Sequence, residues 1–136
     1  MTNENPSIIS HLSIGTNQFE AARAFYTSVL SCLGIKVLMD YPGAVCYGKQ
    51  FPEFWVQTPI DGGPASVGNG FHISFVASSK ELVHAFYDAA IAAGATCDGP
   101  PGPRPMYSDA YYACFVRDLD GHKIEATFWD ETVAPL

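Results

Sequence analysis

Long apolar runs are missing from this chain of 136 residues, and so are basic runs. Its unbroken apolar stretches fall far short of the roughly 20 residues a membrane-spanning helix needs. With 14 acidic against 7 basic side chains the formal net charge is −7, which argues against nucleic acid or an anionic membrane surface as a partner. Charged residues are scarce at 15%, but with 48% hydrophobic residues the chain is too apolar to stay disordered. Cysteine is sparse too: Cys32, Cys46, Cys97 and Cys114 stand far apart with no Cys-x-x-Cys pair, and they read as reduced, mostly buried thiols. The opening segment, Met1 to Pro6, has neither the basic stretch nor the apolar core of an export signal, so the expected location is cytoplasmic. The length suits a single domain over 1–136.

What the chain does have is an internal repeat. His11-Leu12-Ser13-Ile14 is followed by Glu20 and by Ala24-Phe25-Tyr26, and His72-Ile73-Ser74-Phe75 is followed by Glu81 and by Ala85-Phe86-Tyr87. His72 follows His11 by 61 positions, and Glu81 follows Glu20 by the same interval. Each copy opens on a segment of period two, 8–14 and 71–77, which predicts a strand with one apolar face and one face bearing a His and a Ser. A helix follows each strand. Asn17 with Glu20, and Ser78 with Glu81, have the spacing of a capping box, and Gly34 and Gly94 stand where a C-terminal glycine stops a helix.

Further strands are predicted at 35–39, 44–48 and 53–58, and at 95–98, 111–117 and 122–129, with Asp118-Leu119-Asp120-Gly121 as the turn between the last two. Residues 61–70 read as a linker, and the proline-rich stretch 99–105 reads as a loop because proline cannot donate to a ladder. The fold class is therefore α+β, made of two βαβββ modules (about 7–60 and 71–130). Set side by side, they would form a half-open, barrel-like cup with the helices outside.

Strand parity selects the residues that would line such a cup. His11 and His72 share the face opposite the apolar set, and in the last strand Glu125 lies on the matching face with Lys123 and Thr127. Two imidazoles and a carboxylate form a ligand set for zinc, nickel, manganese or iron(II), and with open positions it is the set of non-haem iron oxygenases. In the first module Trp55 and Gln57 face the cup, with Glu53 of the same parity at the strand's beginning. Arg104 in the proline-rich stretch, and Tyr107 with Tyr111 and Tyr112 after it, are candidates to contact a small substrate. His84 and His122 read as solvated.

These residues together resemble the vicinal oxygen chelate superfamily of glyoxalases, bleomycin-resistance proteins and extradiol dioxygenases, over about residues 7 to 129. The resemblance is carried by the strand with His11, the helix bearing Phe25-Tyr26 and later Leu33-Gly34, the strand Phe71-His72-Ile73-Ser74-Phe75, and the ending Phe115-Val116-Arg117-Asp118-Leu119-Asp120-Gly121-His122-Lys123-Ile124-Glu125. That ending is similar to the recurring F-x-x-D-P-D-G-x-x-I-E, with Leu119 in place of proline.

The resemblance implies a divalent metal on His11, His72 and Glu125, with Glu125 also the candidate catalytic carboxylate. A fourth position, often Glu, Gln or His, would be taken here by Trp55 or Gln57. The absence of a second carboxylate argues against lactoylglutathione lyase activity, and no basic cluster obviously suits glutathione. The resemblance also implies a homodimer, with the cup closed either within a chain or between chains. Three functions fit: a metal-dependent enzyme of the glyoxalase type, a ring-cleaving dioxygenase, or a non-enzymatic protein that sequesters a drug or metabolite.

Overall fold

Two four-stranded mixed sheets, each carrying one helix, make up the computed structural model, which describes residues 5–136. The first four residues, part of the opening segment read above, lie outside it. The first module runs β1 (Leu12–Gly15), α1 (Phe19–Ser31), β2 (Lys36–Tyr41), β3 (Ala44–Gly48) and β4 (Phe54–Gln57). The second runs β5 (Ile73–Val76), α2 (Lys80–Ala92), β6 (Thr96–Pro103), β7 (Tyr111–Arg117) and β8 (Lys123–Trp129). Sheet orders are β1-β4-β3-β2 and β5-β8-β7-β6, so the two modules repeat one topology. In each, the first and last strands pair parallel, and the rest pair antiparallel.

Each helix turns a stripe at three-and-four spacing onto its sheet. Ala22, Phe25, Tyr26, Val29 and Leu30 are buried on α1, and Val83, Phe86 and Ala90 on α2. Gly34 and Gly94 end these helices with φ of +77° and +106°, values that favour glycine, as the sequence predicts. The starts differ by one residue. Gln18, not Asn17, occupies the first cap and offers no side-chain bond there, while Asn17 instead brackets Ala65 through its carbonyl and amide. Ser79, not Ser78, caps α2 by accepting from the Leu82 N–H at 3.2 Å. Neither capping box forms, because the extra residue moves each glutamate off the required position.

Two strand expectations are also corrected. β1 begins only at Leu12, and Ile8 and Ile9 stand exposed, since β1 pairs only with β4 and that ladder ends at Leu12. The proline-rich stretch joins a strand after all, β6 reaching Pro103. Its ladder uses Gly99, Gly102 and Pro103 while Pro100 and Pro101 fall in an irregularity between them. As the edge strand it tolerates prolines that a central strand would not.

The apolar faces of both sheets meet in one shared core. Phe54 of β4 packs edge-on against Phe75 of β5 with ring centres 5.1 Å apart, and Phe75 in turn meets Phe86 of α2. The two modules of one chain are therefore joined through their helix-bearing sides. Among the described residues, no helix is long and apolar enough to cross a membrane.

Candidate functional site

On the open face of the second sheet, β5 and β8 run parallel with Ser74 opposite Glu125. His72, two residues before Ser74, reaches the same face, and its Nε2 lies 2.7 Å from Glu125 Oε1. Glu125 is 1% exposed, and a carboxylate so buried needs partners. Its Oε2 accepts from the Tyr111 hydroxyl and from Thr127 Oγ1 at 2.6 Å. Burial first, and then the bond to Glu125, push the Tyr111 phenol above its ordinary pKa, so it stays a donor. Tyr107 packs edge-on against Tyr111 at 5.0 Å and is otherwise exposed. The expected pairing of His72 with Glu125 is present, and Tyr107 and Arg104 belong to the same side of the molecule.

On the open face of the first sheet, exposed His11 shares with Trp55, Gln57, Glu53, Phe51 and Ile9 the lining of a groove of about 720 Å³. His11 Nδ1 is 3.0 Å from Ser10 Oγ. Ladder register decides between Trp55 and Gln57. Ser13 stands opposite Trp55 in the first module, as Ser74 stands opposite Glu125 in the second. Gln57, opposite Gly15, corresponds instead to Thr127, opposite Val76. Trp55 thus stands in the register equivalent to Glu125, and its indole offers no metal-binding atom. Its ring stacks nearly parallel to Tyr41, forming an apolar wall.

His11 does not come together with His72 and Glu125 within one chain. Among the described residues, the grouping of three His, Cys, Asp or Glu ligand atoms within 4.8 Å of one another is Asp118, Asp120 and His122, not His11, His72 and Glu125. Strand parity leaves open whether His11 meets His72 within a chain or across a dimer, and within this chain the three do not converge. Parity gives the face each residue takes, but the modules pack through their covered faces, so the open faces are not shared.

Asp118, Asp120 and His122 could themselves hold a metal ion of unknown identity. They also form the junction between modules. Asp118 Oδ1 accepts from the backbone of Asp120 and His122, and its Oδ2 from the buried Tyr26 hydroxyl. Asp120 accepts from Thr16 Oγ1 at 2.6 Å and from the Asn17 N–H at 3.1 Å. All the carboxylate oxygens are thus engaged, and an ion would have to compete with these donors. Burial, and then the charge of Asp118, drive the Tyr26 phenol well above its ordinary pKa.

His122, read from sequence as solvated, is 2% exposed. Its Nε2 donates to the Gly15 carbonyl at 2.8 Å, while Nδ1 has no partner among the described residues. Nothing local in the sequence marks it, because the partner lies in the other module.

Comparison with known proteins agrees with this architecture. The model of the Glyoxalase/Bleomycin resistance protein/Dioxygenase superfamily matches residues 8–126, and the chain belongs to that superfamily. A glyoxalase/bleomycin resistance protein from Albidiferax ferrireducens T118 is 39% identical, with 90% of this chain and 98% of that one covered and a TM-score of 0.82. A glyoxalase/bleomycin resistance protein/dioxygenase family enzyme from Burkholderia phytofirmans PsJN is 21% identical, covering 88% and 97%, with a TM-score of 0.69. A lactoylglutathione lyase from Agrobacterium tumefaciens shares the fold at 21% identity, 91% and 95% coverage and a TM-score of 0.65. No protein of curated function matches the chain.

Proposed function

We propose that this chain is a metal-dependent enzyme whose site is completed between two copies, His11 of one copy joining His72 and Glu125 of the other. The observation that carries this reading is the His72–Glu125 pair, whose Nε2 and Oε1 lie 2.7 Å apart on an open sheet face. The donor set fits a divalent ion. Tyr111 and Thr127 anchor Glu125 Oε2, which leaves Oε1 beside His72 as the oxygen free to turn toward an ion. A metal there would polarise one or two oxygens of a small organic substrate. Glu125, held through Oε2, is the carboxylate that would ligate the ion, and it is also the candidate to accept a proton from the substrate. Trp55, Gln57 and the groove around His11 would wall the apolar part of the substrate and exclude water.

A homodimer follows from the same reading, because one open face of each chain holds His11 and the other holds His72 and Glu125. Exposed Ile8, Ile9 and Phe51 on the groove rim supply apolar surface for a second copy.

Calorimetric titration of the parent and of His72→Ala with zinc, nickel, manganese and ferrous ions tests the proposal. Loss of at least about tenfold in affinity is expected on removing this ligand. Equal affinity in the two proteins would end the reading. It would leave a ligand-sequestering protein, whose small-molecule binding survives chelator treatment.

Ring-cleaving oxygenation is the second reading, favoured by Trp55 in the register equivalent to Glu125, since two His and one carboxylate then leave adjacent positions open. It predicts oxygen uptake with a catechol only after loading with ferrous iron. No uptake across a panel of catechols would remove it.

A further inference from the structure

Beside His72 and Glu125 lies a feature that the metal chemistry does not use. Phe115, opposite Glu125 in the β7–β8 ladder, has its ring centre 5.8 Å from that of His72. The guanidinium carbon of Arg104 lies 5.4 Å from the same ring centre, and Lys123 Nζ lies 5.0 Å from it. Two of the chain's seven Lys and Arg residues therefore gather on one phenyl ring, in a protein of net charge −7. A third, Arg117, pairs with Asp98 at 3.0 Å, and Lys123 reaches that carboxylate only at 3.9 Å. Arg104 has no carboxylate partner among the described residues. Asp98 thus serves two cations, Arg117 and Lys123. Glu125 forms no ion pair with Arg104 or Lys123; its oxygens bond His72, Tyr111 and Thr127.

The seat of Arg104 is built rather than incidental. Its Nη1 donates to the Gly102 carbonyl at 2.9 Å and its Nη2 to the Pro100 carbonyl at 2.7 Å. Gly99 adopts φ +151°, and a Cβ there would meet Phe115 Cδ2 at 3.0 Å and Arg104 Nη2 at 3.2 Å. A side chain at 99 would therefore push the guanidinium off the ring. Holding the loop in place would account for Arg104 alone. It does not account for Lys123, which arrives from a different strand.

Resting on the metal-site reading above, we infer that the substrate carries an oxyanion, a carboxylate or phospho group, received by Arg104 and Lys123 over Phe115 beside the His72–Glu125 pair. The cations supply charge-assisted hydrogen bonds, and the ring and backbone fix their direction. Arg104 and Lys123 are thereby specificity-determining residues.

The test uses the full chain after chelator treatment and dialysis, so that a bound metal contributes nothing. Calorimetric titrations with inorganic phosphate and, separately, with acetate are compared for the parent, Lys123→Gln, Arg104→Gln and Lys36→Gln, the last an exposed cation on the other sheet. The expected result is binding of one or both probes, weakened about tenfold in Lys123→Gln and Arg104→Gln and unchanged in Lys36→Gln. Selective binding of phosphate points to a phospho substrate, and selective binding of acetate to a carboxylate.

Because Arg104→Gln also removes the bonds that hold the β6–β7 loop, Lys123→Gln carries the decision. No binding by the parent, or equal binding by parent and Lys123→Gln, overturns the inference. His72→Ala should retain phosphate or acetate binding while losing metal, so failure of the metal reading is seen separately.

Discussion

Tyr26 illustrates how much of this structure rests on single hydrogen bonds across the module boundary. Its hydroxyl, 1% exposed as a residue, donates to the nearly buried Asp118 carboxylate, which also holds the turn before β8. Replacing it with phenylalanine leaves a charged acceptor short of a donor in a dry place. Tyr26→Phe should therefore lose about 1–3 kcal/mol of stability, read as a lower urea midpoint with unchanged slope. The thiols give a second check at this scale. Burial pushes Cys114 up to about 12, and Cys46 is also raised and buried, whereas Cys97 is exposed. Brief alkylation of the native protein at pH 8 should label Cys97 and spare Cys46 and Cys114. Labelling of Cys114 at the rate of Cys97 would show that the second module opens freely.

Elements follow from local chemistry where the deciding interactions are local. Both helices, their glycine stops and the Asp-Gly turn were legible because periodicity and positive φ are written in neighbouring residues. Helix starts were harder: Ser78 and Ser79 are equally suitable caps, and Asn17 is a better cap type than the Gln18 that stands there. Asn17 is drawn away by Ala65, 48 positions on. The asymmetry has a measurable consequence. Ser79→Ala removes an actual cap and should cost about 1 kcal/mol in thermal or urea unfolding, while Asn17→Ala should act through the linker and not the helix start. Strand β6 was misread because the rule against proline in sheets holds for central strands, and the sequence does not announce which strand is the edge.

The whole molecule is where sequence reasoning lost its hold. Parity correctly assigned His72 and Glu125 to one face, and the repeat correctly indicated duplicated modules. How the modules pack, however, is decided by contacts between distant residues: His122 with Gly15, Asp120 with Thr16, Tyr26 with Asp118. None of these has a local signature, so neither the burial of His122 nor the separation of His11 from His72 could be read beforehand. The same packing leaves two open faces per chain, one with His11 and the other with His72 and Glu125, which the proposed site would bring together from two copies. Sedimentation should find a dimer at micromolar concentration, and a monomer would leave the proposed site incomplete.

Mixing tests that arrangement directly. His11→Ala and Glu125→Ala are each expected to lose high-affinity divalent metal binding alone. Unfolded together and refolded, they should recover about a quarter of the parent's sites, because half of the randomly paired dimers carry one intact site out of two. No recovery, with both variants folded and dimeric, would contradict a site shared between copies.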